Sequence, residues 1–237
     1  MSGPEGNVAL LIDADNASPA ALDPVLTVLA ELGTVNIRRI YGNWSKAGLK
    51  GWANVLLRYG LEPQQQFDLT KGKNATDMKM TIDAMDLLFG GRITGFGLMS
   101  SDSDFTPIAQ RIRQDGLPVY GFGRNTTPEG FRAACTRFID IDKLQKQHDE
   151  EKAEAAPIAA NDADSDVLAL LIDAYNAAKR DERGFASLSD IGRLAGNRSS
   201  FDARNHGVKR LSELIQNLPN FQTELRDGGH VFVRRVR

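Results

Sequence analysis

At 237 residues, with 41% hydrophobic and 25% charged residues, the chain is sized for one large globular domain or for a medium and a small one, and its composition excludes a disordered or fibrous protein. Cys135 is the single cysteine, which excludes an intrachain disulfide framework and fits a reducing compartment; the start Met1 to Asn7 is polar, and no run reaches the roughly 18 apolar residues of a membrane span, so a cytoplasmic protein without a membrane partner is expected. The net charge of −2 is unevenly spread: residues 1–147 balance to zero, 148–164 carry −5 and 165–237 carry +3, a split that permits a nucleic-acid partner without requiring one.

In chain order, short apolar runs alternate with amphipathic stretches. The pattern predicts strands near 8–13, 35–41, 62–67, 93–100, 117–122 and 137–140, with helices over 19–32, 47–60, 74–89, 104–115 and 128–134 between them. Such alternation specifies an α/β fold, a parallel sheet with helices on both faces. Ser18 before Pro19 reads as a helix start, and Gly33 and Gly116 as left-handed residues just past helix ends. Residues 148–164 lack aromatic and branched residues apart from Ile158 and read as a flexible acidic linker. Beyond it come helices over 166–180, 187–195 and 207–216 and strands over 220–225 and 230–235, joined by the turn Asp227-Gly228-Gly229. Three short helices and a hairpin outline a small winged-helix-like domain. The expected organisation is thus 1–147, linker 148–164, and 165–237.

Chemistry concentrates where apolar strands run out. Asp13 and Asp15 end the run Val8 to Ile12, and Asp102 and Asp104 follow Phe96 to Ser101. Ligands of open α/β sheets bind outside the carboxyl ends of the strands. Carboxylates gathered there repel one another unless a cation neutralises them, and burying one beside Leu11 and Ile12 without a partner is costly. Capping explains one of Asp15 and Asn16 but not Asp13 as well, and two acids with two hydroxyls at Ser100 to Asp104 exceed what a cap needs. Asp77 falls in the first turn of the helix at 74–89, where it also suits the helix dipole. Asp83, six residues on, cannot share a narrow face with it, so Asp77 is expected in the cleft and Asp83 at its periphery. Lys71 and Lys73 are placed to meet a phosphate backbone, although solvated loop lysines are the commoner case.

All three histidines, His148, His206 and His230, lie outside the first domain, so no Ser-His-Asp or Cys-His set can form there. Hard carboxylate oxygens suit Mg²⁺ or Mn²⁺ rather than zinc, and such an ion can activate water for phosphodiester hydrolysis. A haloacid-dehalogenase-type phosphatase is a weaker alternative: Asp13-x-Asp15 fits its nucleophile motif, but Ala17 stands where that family has Thr or Val, and no partner lysine is evident.

These residues resemble the NYN domain, a PIN-like metal-dependent ribonuclease fold, most closely its LabA-like branch. The matching pieces are LLIDADN (10–16), Tyr41 to Trp44, KGKNATDMKMTIDAMD (71–86), LMSSDSDFTPIAQRIRQDG (98–116) and Val119 to Gly123, covering about residues 7–144. The resemblance implies Asp13, Asp77 and Asp102 as metal ligands, Asp104 as a further catalytic acid, and Asp15, Asn16, Asp83 and Ser101 in support. Ala14-Asp15 departs from the Gly that many members carry before the Asn.

The tail resembles an OST-HTH (LOTUS) domain through Leu188 to Leu194, Phe201 to Gly207, Leu211 to Ile215 and Phe221. That resemblance implies RNA binding, with Arg204, His206, Lys209 and Arg210 as the surface at the start of the third helix. The expected function is a metal-dependent endoribonuclease with an RNA-binding tail; the alternative is a non-catalytic RNA-binding regulator with a degenerate nuclease-like domain. Trp44, Trp52 and Tyr59 are either base-stacking platforms or core. In a domain of zero net charge, basic surface for RNA comes from the tail or from a second subunit of a homo-oligomer.

Overall fold

The alternating pattern folds into two units, residues 4–147 and a second built from 148–237. The computed structural model describes residues 6–67, 75–154, 162–199, 201–226 and 229–236.

In the first unit the strands are β1 (Asn7–Asp13), β2 (Thr34–Gly42), β3 (Glu62–Gln65), β4 (Gly95–Met99), β5 (Val119–Gly123) and β6 (Arg137–Asp140), in the spatial order β3-β2-β1-β4-β5-β6. Every neighbouring pair is parallel. The helices are α1 (Leu22–Leu32), α2 (Ala53–Arg58), α3 (Ala75–Phe89), α4 (Thr106–Gln114), α5 (Glu129–Ala134) and α6 (Ile141–Glu154).

Successive strand side chains point to opposite faces, and β1 feeds two cores in this way. Val8, Leu10 and Ile12 pack with Leu22, Val25, Leu26 and Leu29 of α1 and with Trp52. Ala9 and Leu11 pack with Met80, Ala84 and Leu88 of α3, Ile108 and Ile112 of α4, and Phe131 of α5. Trp52 is buried, and Trp44 and Tyr59 pack partly buried against the first cluster. The strand order reverses between β1 and β4, so the carboxyl ends of these two strands flank the crevice of the sheet.

Some local expectations are corrected. Ser18 makes no side-chain cap, and a 3-10 turn at Pro19–Ala21 precedes α1. Gly116 is left-handed at φ 83°, but Gly33 is extended at φ 165°. Glycine is needed at Gly33 because a Cβ would stand 2.5 Å from the Gly6 carbonyl oxygen. The helix expected over 47–60 is a 3-10 turn, Ala47–Trp52, followed by the short α2. The linker expected from 148 instead continues α6 to Glu154, and α7 begins at Asp162. Asp140 starts α6 by accepting from the Asp142 and Lys143 amides, and Lys, Gln, Glu and Ala are favourable helix formers.

The second unit comprises α7 (Asp162–Ala177), β7 (Ala186–Ser187), α8 (Leu188–Arg198), α9 (Leu211–Gln216), β8 (Phe221–Arg226) and β9 (His230–Arg235). Its strands form an antiparallel sheet in the order β7-β9-β8. Leu171, Tyr175, Ile191, Ile215 and Val233 fill the core. A buried pair, Asp173 and Arg198 at 2.6 Å, ties α7 to α8. The third helix starts at Leu211 rather than 207, because Ala203–His206 forms a 3-10 turn closed by left-handed Gly207 at φ 77°. Most of the expected hairpin turn, Asp227 and Gly228, lies outside the described residues.

Candidate functional site

β1 delivers Asp13 to the crevice fully buried. Its Oδ2 accepts from Ser100 Oγ at 2.7 Å and Asn16 Nδ2 at 2.8 Å, and its Oδ1 from the Asp15 amide at 3.1 Å. A carboxylate offers about four lone-pair sites, so three donors leave capacity for one more partner. Burial raises the Asp13 pKa, against the hydrogen bonds from Ser100 and Asn16.

Ser100, just past β4, is buried. Its hydroxyl donates to Asp13 and accepts from the Asp102 amide at 3.1 Å. Asp102 then caps the 3-10 turn Ser103–Phe105, taking the Asp104 amide on Oδ1 at 2.9 Å. Asp77, in the first turn of α3, faces this loop. Carboxylate oxygens of Asp77, Asp102 and Asp104 lie within 4.8 Å of one another. Burial first, then the charges of Asp13, Asp102, Asp104 and Asp15, push the Asp77 carboxyl up to about 6.

The structure therefore brings together Asp77, Asp102 and Asp104, with Asp13 beside them. Asp104, expected as a catalytic acid but not among the metal ligands, has a carboxylate oxygen within 4.8 Å of those of Asp77 and Asp102. Asp15 is exposed, with Lys46 Nζ at 3.6 Å, and Asn16 orients Asp13. Ser101 Oγ accepts from the Arg124 amide at 2.9 Å, fixing the β5 exit loop to the site. Asp83 stands apart. It is buried, accepts from Tyr41 Oη at 3.1 Å and Lys79 Nζ at 2.7 Å, and has Arg39 at 3.6 Å, so it ties α3 to β2. Lys71 and Lys73 lie outside the described residues. Ser100 was missed as a site residue, although the paired hydroxyls before Asp102 were its signal.

In the second unit, Arg204 is exposed and held in two contacts by Asp202, at 2.9 and 2.5 Å. His206 stacks on Phe201 with ring centroids 5.8 Å apart. Lys209 and Arg210 are exposed immediately before α9. The four basic residues thus lie ahead of the third helix, not within it.

Three carboxylates gathered at a strand-end crevice fit a hard divalent cation: the donors are all oxygen, and burial together with the neighbouring negative charges, which raise the Asp77 pKa, disfavours leaving them unneutralised. Asp77, Asp102 and Asp104 would hold it, with Asp13 adjacent.

The NYN-domain sequence profile matches residues 7–142, and the OST-HTH/LOTUS-domain profile matches residues 161–233. An uncharacterized protein of Methanocaldococcus jannaschii is 29% identical over 157 residues, which span 63% of this chain and 61% of that relative. A crystal structure of a protein of unknown function from Vibrio parahaemolyticus shares the fold at a TM-score of 0.51 and 19% identity, covering 61% of this chain and 98% of that one. The NYN fold is PIN-like and nuclease-like, and an OST-HTH/LOTUS domain implies RNA binding. Among the described residues, no helix is long and apolar enough to cross a membrane.

Proposed function

Because the chain belongs to the NYN-domain family, we propose that it is a divalent-metal-dependent endoribonuclease, with residues 1–147 hydrolysing RNA phosphodiester bonds and residues 165–237 holding the RNA. The observation that carries this reading is the convergence of Asp77, Asp102 and Asp104, from α3 and the β4 exit, beside buried Asp13. These residues would hold Mg²⁺ or Mn²⁺, which would supply positive charge to phosphoryl oxygens and lower the pKa of a water. Asp77 and Asp104, which line the crevice together, are the carboxylates that would accept a proton there. Asp102 is fixed by its cap to the Asp104 amide, and Ser100 sets the spacing between Asp13 and Asp102. Lys209 and Arg210, with Arg204 and His206, are assigned to the RNA backbone, as are Lys71 and Lys73. The chain acts in the cytoplasm.

The test is cleavage of labelled single-stranded and hairpin RNA by the full chain. Cleavage with Mn²⁺ or Mg²⁺, abolished by EDTA and by Asp102→Asn, is expected. RNA retained in EDTA with no cleavage under any metal would move the assignment to a non-catalytic RNA-binding protein.

A further inference from the structure

Beside the carboxylates, the molecule exposes apolar surface that its fold does not use. The inner face of α3 buries Met80, Ala84 and Leu88. One step round the helix, Met78 and Ile82 are 66% and 51% exposed, one turn apart. They form one wall of an open cavity of about 510 Å³, with Thr106 and Pro107 of α4 on the other wall. Thr81 and Ser103 add hydroxyls. Asp77 and Asp104 also line it, so the groove is continuous with the carboxylate cluster.

We propose that this groove is a subsite for one unpaired nucleobase of single-stranded RNA, that of the nucleotide adjoining the phosphodiester held at the carboxylates. It rests on the nuclease reading above. The volume is that of a small-ligand site, and the lining sets apolar Met78, Ile82 and Pro107 among hydroxyls and the two carboxylates. A base pulled out of its stack is held in this way, between apolar side chains with hydrogen bonds at its edge. The Met78 thioether is a favourable contact for an aromatic ring, the hydroxyls of Thr81 and Ser103 can donate to or accept from a base edge, and that of Thr106, which donates to the Ser103 carbonyl at 2.6 Å, can accept from one. A base is neutral and tolerates Asp77 and Asp104 nearby. A second copy of the chain is disfavoured here: a two-fold interface would set this patch, with its carboxylates, against the same patch. Duplex RNA keeps its bases stacked and cannot fill the groove, so unpaired segments are the preferred substrate.

The test places a single abasic nucleotide at successive positions of a single-stranded RNA and compares single-turnover cleavage by the full chain and by Met78→Ala/Ile82→Ala, whose side chains are exposed enough to spare folding. One stacked base is worth a roughly 10-fold effect. An abasic nucleotide next to the cleaved bond is expected to slow the wild type about 10-fold and the variant no further than its own loss. Crosslinking of 4-thiouridine RNA reads the same contact whether or not the bond breaks, and is expected within residues 77–82. If the wild type cleaves nothing but crosslinks there, the nuclease reading fails and the subsite stands. An abasic penalty undiminished in the variant, crosslinks confined elsewhere, or a dimer that the double substitution converts to monomer would overturn the subsite.

Discussion

Ser100 serves two strands with one oxygen, donating to Asp13 and accepting from the Asp102 amide. Loss of such an outer partner typically costs 10- to 100-fold in metal affinity or activity. Ser100→Ala should therefore weaken Mn²⁺ binding by about that factor, measured by calorimetric titration; unchanged affinity would make the hydroxyl purely structural. Asp77 gives a pH signature. Its folded pKa, about 6, lies above the ordinary carboxylate value, so the protonated form stabilises the fold. That contribution is complete below the ordinary value and disappears as pH rises through about 6. In EDTA the Tm should fall across this interval, and Asp77→Asn should remove this component. Mn²⁺ should raise Tm more at pH 7.5 than at pH 5, because protons compete for the site; an equal rise at both would contradict it. At this scale the sequence was legible in part. Asp13, Asp77 and Asp102 stand out as acids at strand and helix ends. The Ser100–Asp13 contact depends on β1 lying beside β4, the closeness of Asp104 to Asp77 on α3 facing the β4 exit, and the tie of Asp83 to Tyr41 and Arg39 on α3 packing against β2, none of which sequence spacing encodes; only the Asp83 pair with Lys79, at i,i+4, is local.

Elements position these residues through close contacts. Gly123 at the end of β5 sits where a Cβ would stand 2.6 Å from Thr127 Oγ1 and 2.7 Å from the Ser100 carbonyl. Gly123→Ala should cost about 1–3 kcal/mol in chemical denaturation, as overpacking does, and should lower activity by shifting Ser100. Wild-type stability would show that the loop yields freely. In the second unit, Asp173→Ala leaves Arg198 buried without its carboxylate, and removal of one buried partner costs about 3–5 kcal/mol. Loss of the cooperative unfolding transition of residues 165–237 is the expected readout, and retention of wild-type stability would count against the pair. The strands and main helices were legible because period-2 and period-3.6 apolar patterns are local. The turn at Ala203–His206 and the extension of α6 to Glu154 were not. The first depends on how the chain packs ahead of α9, and the second on helix formers that carry no apolar stripe.

At the scale of the whole molecule, the two families follow each other along one chain, which joins a net-neutral nuclease-like unit to a net-positive tail. If the tail holds RNA through phosphates, Lys209→Ala/Arg210→Ala should weaken binding and reduce the slope of log affinity against log salt by about 1 to 2. An unchanged slope would place the contact elsewhere. The order of the two units was legible from the charge split and the apolar patterns. The most direct measurement is metal-dependent cleavage of a labelled RNA panel by the wild type and by Asp77→Asn/Asp102→Asn, with Mn²⁺, Mg²⁺ or EDTA. Cleavage by the wild type in either metal, absent in EDTA and in the double variant, is the predicted result. Equal cleavage by the double variant, or wild-type cleavage undiminished in EDTA, would contradict a nuclease centre at these carboxylates.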